Sequence, residues 1–480
     1  MQKNKKMNRF ENISKIMFAH LQPYDGKVRT FKTVHYWQTV PAPNLPDGYK
    51  DSRLYLRNLV YQAAEKQFGK ETSPKVKARI EQELELLTIK ERWADYSILV
   101  RDAIKQGRST IDGCLPMSRG NVACSMICHL LGLTFTNPLQ FNLPFEAFFH
   151  LKTKRIPDLT IETDSLKHVN FVDMLKQQYG NRMASTFQTV KRKDGTSKEC
   201  ISDFRWVLSH EDLSNMMPMR EISDSNSGEK ALCPDFTNCS DIQEHGGTFL
   251  HILSMPYISI VGQTLDIIGI PNEAKFDYLH SIPLNDSNTW EMLQDGDFMD
   301  ISLLNSWYGK KKEYIQDIKL NSLEKLVSFN TLFRPFLEVN ISEYISRTKT
   351  GSMIDYPIPE MSDVLDETKG LLIFDEQIIL LAKKIANLSG ADAACFLQSL
   401  RTQDTQTLEE HYRPLFLEGG SGNGYSSEVL ESVFNSLCRF GHYTTSKGYQ
   451  MEYAIRAFQM AYLKAHYPKE FHLAKRRCDS

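Results

Sequence analysis

The octapeptide IPDLTIET, residues 156–163, constrains this chain more than any other stretch. Read as a strand, it places Asp158, Thr160 and Glu162 on one face, because side chains alternate along extended backbone. Neighbours on that face stand about 6.6 Å apart, a spacing that suits two carboxylates bridging a pair of divalent ions. Only the first of the adjacent pair is a carboxylate. Thr160 is neutral and a poor ligand for a hard cation. Glu162 shares the face but lies about 13 Å from Asp158 by strand rise, and Asp164 is farther still. The strand has the layout of a metal-binding edge whose second carboxylate is missing.

Bulk properties bound the rest. At 480 residues the chain exceeds one compact core, so two to four domains are expected. Hydrophobic residues make up 41% and charged residues 24%, an ordinary globular balance. With 57 basic against 59 acidic residues the net charge is −2, so any polyanion site must be a local patch. The N-terminal MQKNKKMNRF is basic but no apolar run follows it, and no stretch approaches 18 apolar residues. Neither a secretory signal nor a membrane span is expected. Nine irregularly spaced cysteines read as the reduced thiols of a cytoplasmic protein. Cys233, Cys239 and His245 fit no standard zinc spacing, and no fourth ligand is evident.

Periodicity places several helices. Val76, Ile80, Leu84 and Leu87 recur at helical spacing, and a second helix is expected over roughly 96–104. Phe374, Ile378, Leu381 and Ile385 form one apolar face; Met451, Ala454, Ile455, Phe458 and Tyr462 form another. KRKDGTSK (191–198) reads as a basic hairpin turning at Asp194-Gly195, with Arg192 at its tip. The polar stretch 210–245 suggests long loops, and GGSGNG (419–424) suggests a flexible connector between helices.

The block DGCLPMSRGNVACSMICHLLGLTFTNPLQFNLPFEAFFHLKTKRIPDL, which runs into the strand, resembles the palm of bacterial DNA polymerase III alpha subunits, the C-family replicative polymerases. RLYLRNLVYQAAEKQFG and RIEQELELLTIKERWADYSILVRDAIK resemble the helices leading into that palm, and KGLLIFDEQIILLAKKIANLSGADAACFLQSLR and YQMEYAIRAFQMAYLKAHYPKEF resemble its fingers. The likeness covers roughly residues 35–475 in the family's own order of palm, thumb and fingers. It implies an α+β, multidomain fold: a nucleotidyltransferase-like palm of mixed sheet and helices, plus a largely helical thumb and fingers. The implied divisions are a lead-in segment 1–34, a helical approach to the palm 35–113, a palm with a thumb-like insertion 114–281, and a fingers-like region 282–480. The family's phosphoesterase-like domain and everything beyond the fingers find no counterpart, so a truncated homologue is expected. The lead-in, with Phe10, Ile13, Ile16, Met17, Phe18 and Leu21, is expected to dock where the missing domain would lie, or to recruit a partner there.

The resemblance also assigns a site. The family's P-D-x-D-x-D strand holds two magnesium ions through its first two aspartates, which fall here on Asp158 and Thr160. Asp158 is then the remnant catalytic carboxylate and at most a single metal ligand. The third carboxylate, from a family K-F-D-F-L-G-L segment, has two registers. PYISIVGQTLDII (256–268) keeps the strand-then-helix order and puts Ile258 at the position; AKFDYLHS (274–281) would supply Asp277. The first register is preferred. The family's G-R-G-S becomes Ser118-Arg119-Gly120-Asn121 before an expected helix 122–131 with Gly132 as its cap. A helix N-terminus there would meet phosphate through Arg119, Gly120 and Asn121, or serve as a plain structural cap. F-N-K-S-H becomes Thr445 to Tyr449, keeping Lys447 and the later Tyr453. LFRP keeps Arg334 but is followed by Phe336, and the arginine of the family's FERF is Ala147.

Drift at the chemical positions, beside legible packing signatures such as LLGLT, LFRP and LKAHYPKEF, implies a fold kept for binding or assembly. The leading expectation is a DNA polymerase III alpha-like pseudoenzyme that does not polymerise and needs no cofactor. It would act in replication, repair or a mobile-element process, with primer-template or single-stranded DNA and replication or repair proteins as partners. One alternative is an active DNA-directed DNA polymerase that rebuilds a magnesium site from Asp158, Asp277 and Glu162. Another is a protein-interaction scaffold without DNA affinity. The phosphate or DNA contacts expected are Arg119, Gly120, Asn121, Arg192, Arg334, Lys447 and the tail KAHYPKEFHLAKRR.

Overall fold

The computed structural model describes residues 40–89, 93–153, 159–193, 195–236, 238–301, 304, 311–334, 337–351 and 353–479. The lead-in, Asp158, Asp194 and Phe336 lie outside them.

Three helices, Ser52–Phe68, Pro74–Ile89 and Trp93–Thr110, precede the sheet. They bury the expected stripe, including Ile80, Leu84 and Leu87. Seven strands follow: β1 (Met117–Ser118), β2 (Ile161–Asp164), β3 (Met183–Lys191), β4 (Ser197–Leu208), β5 (Met219–Ser223), β6 (Lys230–Pro234) and β7 (Thr248–Met255). Five form one mixed sheet in the order β1-β2-β7-β4-β3. Only β2 and β7 run parallel, with Glu162 opposite Leu253. A parallel pair needs a long crossover, and here the His168–Tyr179 helix and the β3–β4 hairpin supply it. The α+β reading, a mixed sheet with helices plus helical regions, is the observed architecture.

Two local expectations change. Residues 210–245 hold a β5–β6 hairpin and two short helices rather than long loops. The run GGSGNG is largely helix: Arg413–Gly422 extends through Gly419 and Gly420. A Cβ on Gly419 would collide with the Ala386 carbonyl oxygen, and one on Gly420 with the Leu430 side chain. These glycines allow close helix approach; they do not make a connector.

The main core joins the leading helices, the sheet and the Lys447–His466 helix. It also takes in residues from Ile282 to Ile345, such as Trp290 and Phe329. A second core, from Ile358 to Leu437, is built by the helices Asp375–Ala386, Gly390–Thr402, Arg413–Gly422 and Ser427–Phe440. Region 282–480, expected as one helical unit, thus divides between two cores. The terminal helix Pro468–Asp479 buries Phe471 and Ala474 and packs along the Pro256–Ile267 helix. Among the described residues no helix is long and apolar enough to cross a membrane.

Candidate functional site

β2 lies between β1, antiparallel to it, and β7, parallel to it. Of its two buried carboxylates, Glu162 and Asp164, Glu162 is the one that forms ion pairs among the described residues. Glu162 Oε1 accepts from Arg119 Nη1 at 3.0 Å. Oε2 accepts from the Tyr257 hydroxyl at 2.8 Å and also pairs with Arg456 Nη1. Arg456 is itself buried; it bonds Glu452 at 2.8 Å, the Tyr257 oxygen at 2.8 Å and the Ser118 carbonyl. Glu452 in turn accepts from the backbone N–H of Phe135 at 3.1 Å and of Thr136 at 3.0 Å, and from the Thr136 hydroxyl at 2.6 Å.

Two carboxylates and two guanidiniums therefore form a closed set with no net charge. Such a set is stable only when its members keep their partners, because Glu162, Glu452 and Arg456 have been taken out of water, Arg119 staying partly exposed. Burial alone would lower the Arg456 pKa; Tyr257, Glu452 and Glu162 overcome it and hold the guanidinium well above its usual value. Burial, helped by Glu162, pushes the Tyr257 hydroxyl well up, so it remains a donor. Arg119 also donates to the Tyr453 hydroxyl at 3.0 Å, and its pKa is raised by Glu162 against the cost of burial.

The remaining carboxylate candidates do not join this set. Thr160 precedes β2, and its carbonyl accepts from the Arg119 backbone N–H at 3.1 Å. Asp164 turns to the Ser259 hydroxyl at 2.6 Å and the Leu166 N–H at 2.7 Å. Ile258 is buried hydrocarbon in the Pro256–Ile267 helix, between Tyr257 and Ser259. The strand expected around Asp277 is corrected: Lys275–Ser281 is a helix, with Phe276 and Leu279 turned inward at i, i+3 spacing. Asp277 faces out, its side chain 66% exposed and 3.4 Å from Lys66.

The phosphate candidates are mostly engaged by the chain itself. In place of a helix 122–131 there is a 3-10 turn, Asn121–Cys124, and then a short helix, Met126–Leu130. The buried Glu83 carboxylate takes the N–H groups of Met126 at 2.8 Å and Ile127 at 3.0 Å. Asn121 donates to the Ala147 carbonyl at 3.0 Å. Gly120, at φ +101°, has open space where a Cβ would stand. Lys447 Nζ is held by the Phe141 carbonyl at 2.8 Å and Glu367 at 2.6 Å. At the start of the same helix, the Glu376 carboxylate accepts from the N–H of Lys447 at 2.6 Å and of Gly448 at 2.9 Å. A Cβ on Gly448 would stand 2.6 Å from Cys124 Sγ, so glycine permits this approach. Arg334 Nη1 donates to the Thr445 hydroxyl at 2.8 Å. In the tail, Lys464 pairs with Asp297 at 2.6 Å. Arg192 differs: it is exposed at the β3–β4 turn and makes no ion pair among the described residues.

No group of three or more His, Cys, Asp or Glu suited to a metal occurs among the described residues. Cys233 is buried beside Ser185, while Cys239 is exposed beside Arg205. On β2, Glu162 is held by two guanidiniums, those of Arg119 and Arg456. Sequence reasoning missed Arg456, Glu452, Glu376 and Glu83. Glu452 and Arg456 carried a signal, an i, i+4 acid–base pair inside an apolar stretch, but spacing does not reveal burial.

Residues 54–242 match the family described as bacterial DNA polymerase III alpha NTPase domain, and residues 257–424 match its subunit's finger domain. The DNA polymerase III subunit alpha of Halalkalibacterium halodurans is 24% identical over 510 residues, covering 92% of this chain and 45% of that protein. The subunit alpha of Staphylococcus aureus strain COL is 25% identical over 437 residues, covering 79% of this chain and 40% of its own length. The fold and its matched segments define a polymerase-like α+β protein. This chain is a homologue of the bacterial DNA polymerase III alpha subunit. It spans less than half the length of these relatives.

Proposed function

We propose that the protein binds DNA, as primer-template or single strand, as an assembly or accessory factor in replication, repair or a mobile-element process, and does not itself transfer nucleotides. One observation carries the reading: Glu162 is neutralised by Arg119 and Arg456 from within the fold. Two-metal catalysis requires unpaired carboxylates that attract about four positive charges' worth of ions to one point. Here Glu162, which strand alternation places on the same face as Asp158, already has its cations. Admitting a divalent ion would bring positive charge beside the buried Arg456 guanidinium and the half-buried Arg119. Thr160 adds no charge, and Ile258 adds none at the preferred third position.

The engaged helix N-termini argue the same way. Glu83 and Glu376 occupy amides that a triphosphate would otherwise meet. The active-polymerase alternative needs Asp277, which stands on an outward helix face beside Lys66.

Primer extension tests the reading. With magnesium or manganese, the protein is expected to leave a primed template unextended, and Thr160→Asp is expected not to restore synthesis. Template-dependent extension that vanishes in Asp158→Ala would overturn it. Direct binding separates the DNA-binding reading from a scaffold. Affinity for DNA should fall steeply with salt, by about 10³ between 50 and 200 mM for six phosphate contacts. Absence of binding at low salt would leave the scaffold.

A further inference from the structure

Of the Phe, Tyr and Trp side chains among the described residues, only two are exposed: Phe440 at 47% and Tyr443 at 38%. They lie three residues apart, at the end of the Ser427–Phe440 helix and in the 3-10 turn Gly441–Tyr443. Each ring has a cationic or heteroaromatic neighbour. The Arg439 guanidinium is 5.3 Å from the Phe440 ring centre, and the His442 ring is 3.7 Å from that of Tyr443.

The turn that carries them is fixed. A Cβ on Gly441 would stand 2.9 Å from Leu400 Cδ1 and 3.2 Å from Ile378 Cδ1, so the backbone lies directly on the second core. Thr444 donates to Asp375 at 2.7 Å. Thr445 N–H bonds the Ile373 carbonyl at 3.1 Å, and Asp375 N–H bonds the Thr445 carbonyl at 3.0 Å. Positive charge flanks the same turn: Arg439 is exposed just before it and Arg334 bonds Thr445, while Arg401 is paired with Asp375.

The geometry points to Phe440 and Tyr443 as a stacking platform for unpaired bases of single-stranded DNA. This inference rests on the DNA-binding reading above and names the surface responsible. Exposed rings on a rigid support, bordered by arginines, match what sequence-tolerant single-strand binding requires: a π-face for each base and cations for the phosphates beside it. A folded protein of this size has ample interior for two rings, and every other described aromatic is at least partly covered. Because the turn is already anchored, stacking would need no ordering of the backbone.

The test measures anisotropy of a labelled oligo(dT) with the full chain. Phe440→Ala and Tyr443→Ala are each expected to weaken binding about 5- to 150-fold, the range for losing one base–aromatic stack. Phe440→Trp should retain affinity and show indole quenching on binding. An abasic strand of equal length should bind the parent weakly and be indifferent to either alanine. Equal affinity of parent and both alanine variants for oligo(dT) would overturn the platform and leave DNA binding intact. Failure of the parent to bind any strand at low salt would instead remove the DNA-binding reading, and the platform with it. Melting curves matching the parent's would confirm that the alanine variants are folded.

Discussion

Around Glu162, on a strand paired on both sides, four charged side chains close on one another; around Gly441, two rings and an arginine face solvent. The first arrangement satisfies every charge internally, so a ligand could enter only after a buried ion pair had been broken. The second keeps two rings exposed while its backbone is pinned. The contrast separates two ways a polymerase-type fold can treat polar surface. At Glu162 the fold supplies arginines to a buried carboxylate; at Gly441 it holds Phe440, Tyr443 and Arg439 outward.

The largest way to break the comparison is Arg456→Met. It leaves buried Glu452 without a cation and Glu162 with Arg119 alone, and loss of one partner of a buried pair costs about 3–5 kcal/mol. The denaturant midpoint should fall accordingly. Combining it with Glu162→Gln and Glu452→Gln should recover much of the loss, since the remaining polar groups can hydrogen-bond without charge. If Arg456→Met alone unfolds like the parent, the closed set around Glu162 is not what holds the seam.

The second core offers a smaller and sharper probe. Gly419→Ala places a methyl against the Ala386 carbonyl, an overpacking expected to cost about 1–3 kcal/mol. Gly422 belongs to the same helix and meets nothing within 4 Å, so Gly422→Ala should be neutral or slightly stabilising, by up to about 1 kcal/mol. Equal and negligible effects at both positions would restore the connector reading of this run.

Asp375 gives a pH signature that belongs to the region beside the turn. Burial pushes its carboxyl up to about 6, despite the nearby Arg401 and the Thr444 hydroxyl. Between pH of about 4 and 6 the folded chain keeps a proton that the unfolded chain has released, so this group's contribution lowers stability as pH rises through that window and is level above it. Asp375→Asn should flatten that slope. An unchanged slope would place the titration elsewhere.

Much of the fold was legible in periodicity. The stripe of Ile80, Leu84 and Leu87, the β3–β4 hairpin, and the apolar faces of Asp375–Ala386 and Lys447–His466 all follow from local spacing. The glycine run was not legible, because a helix needing close approach and a flexible linker use the same residue; only the neighbouring Ala386 carbonyl distinguishes them. Asp277 misled for a related reason: AKFDYLHS matches a strand motif in letters, while Phe276 and Leu279 bury at helical spacing. At the site, the replacement of Asp by Thr160 was visible in the sequence. The closing of Glu162 by Arg456 was not, since the two residues are 294 positions apart.

The smallest effect concerns Arg192, which sharpens the distinction between phosphate contact and base stacking. It sits exposed on the β3–β4 turn without an ion-pair partner among the described residues, so Arg192→Ala should leave stability within about 0.5 kcal/mol. If this turn meets the DNA backbone, the variant should lower the slope of log affinity against log salt by about 0.7, the value for one single-strand phosphate. That loss should be the same for oligo(dT) and for an abasic strand, because the guanidinium contacts charge and not a base. Phe440→Ala should behave oppositely, keeping the salt slope and losing affinity only where bases are present. A variant at Arg192 that discriminates between the two strands, or one at Phe440 that does not, would erase the division of labour between the two surfaces.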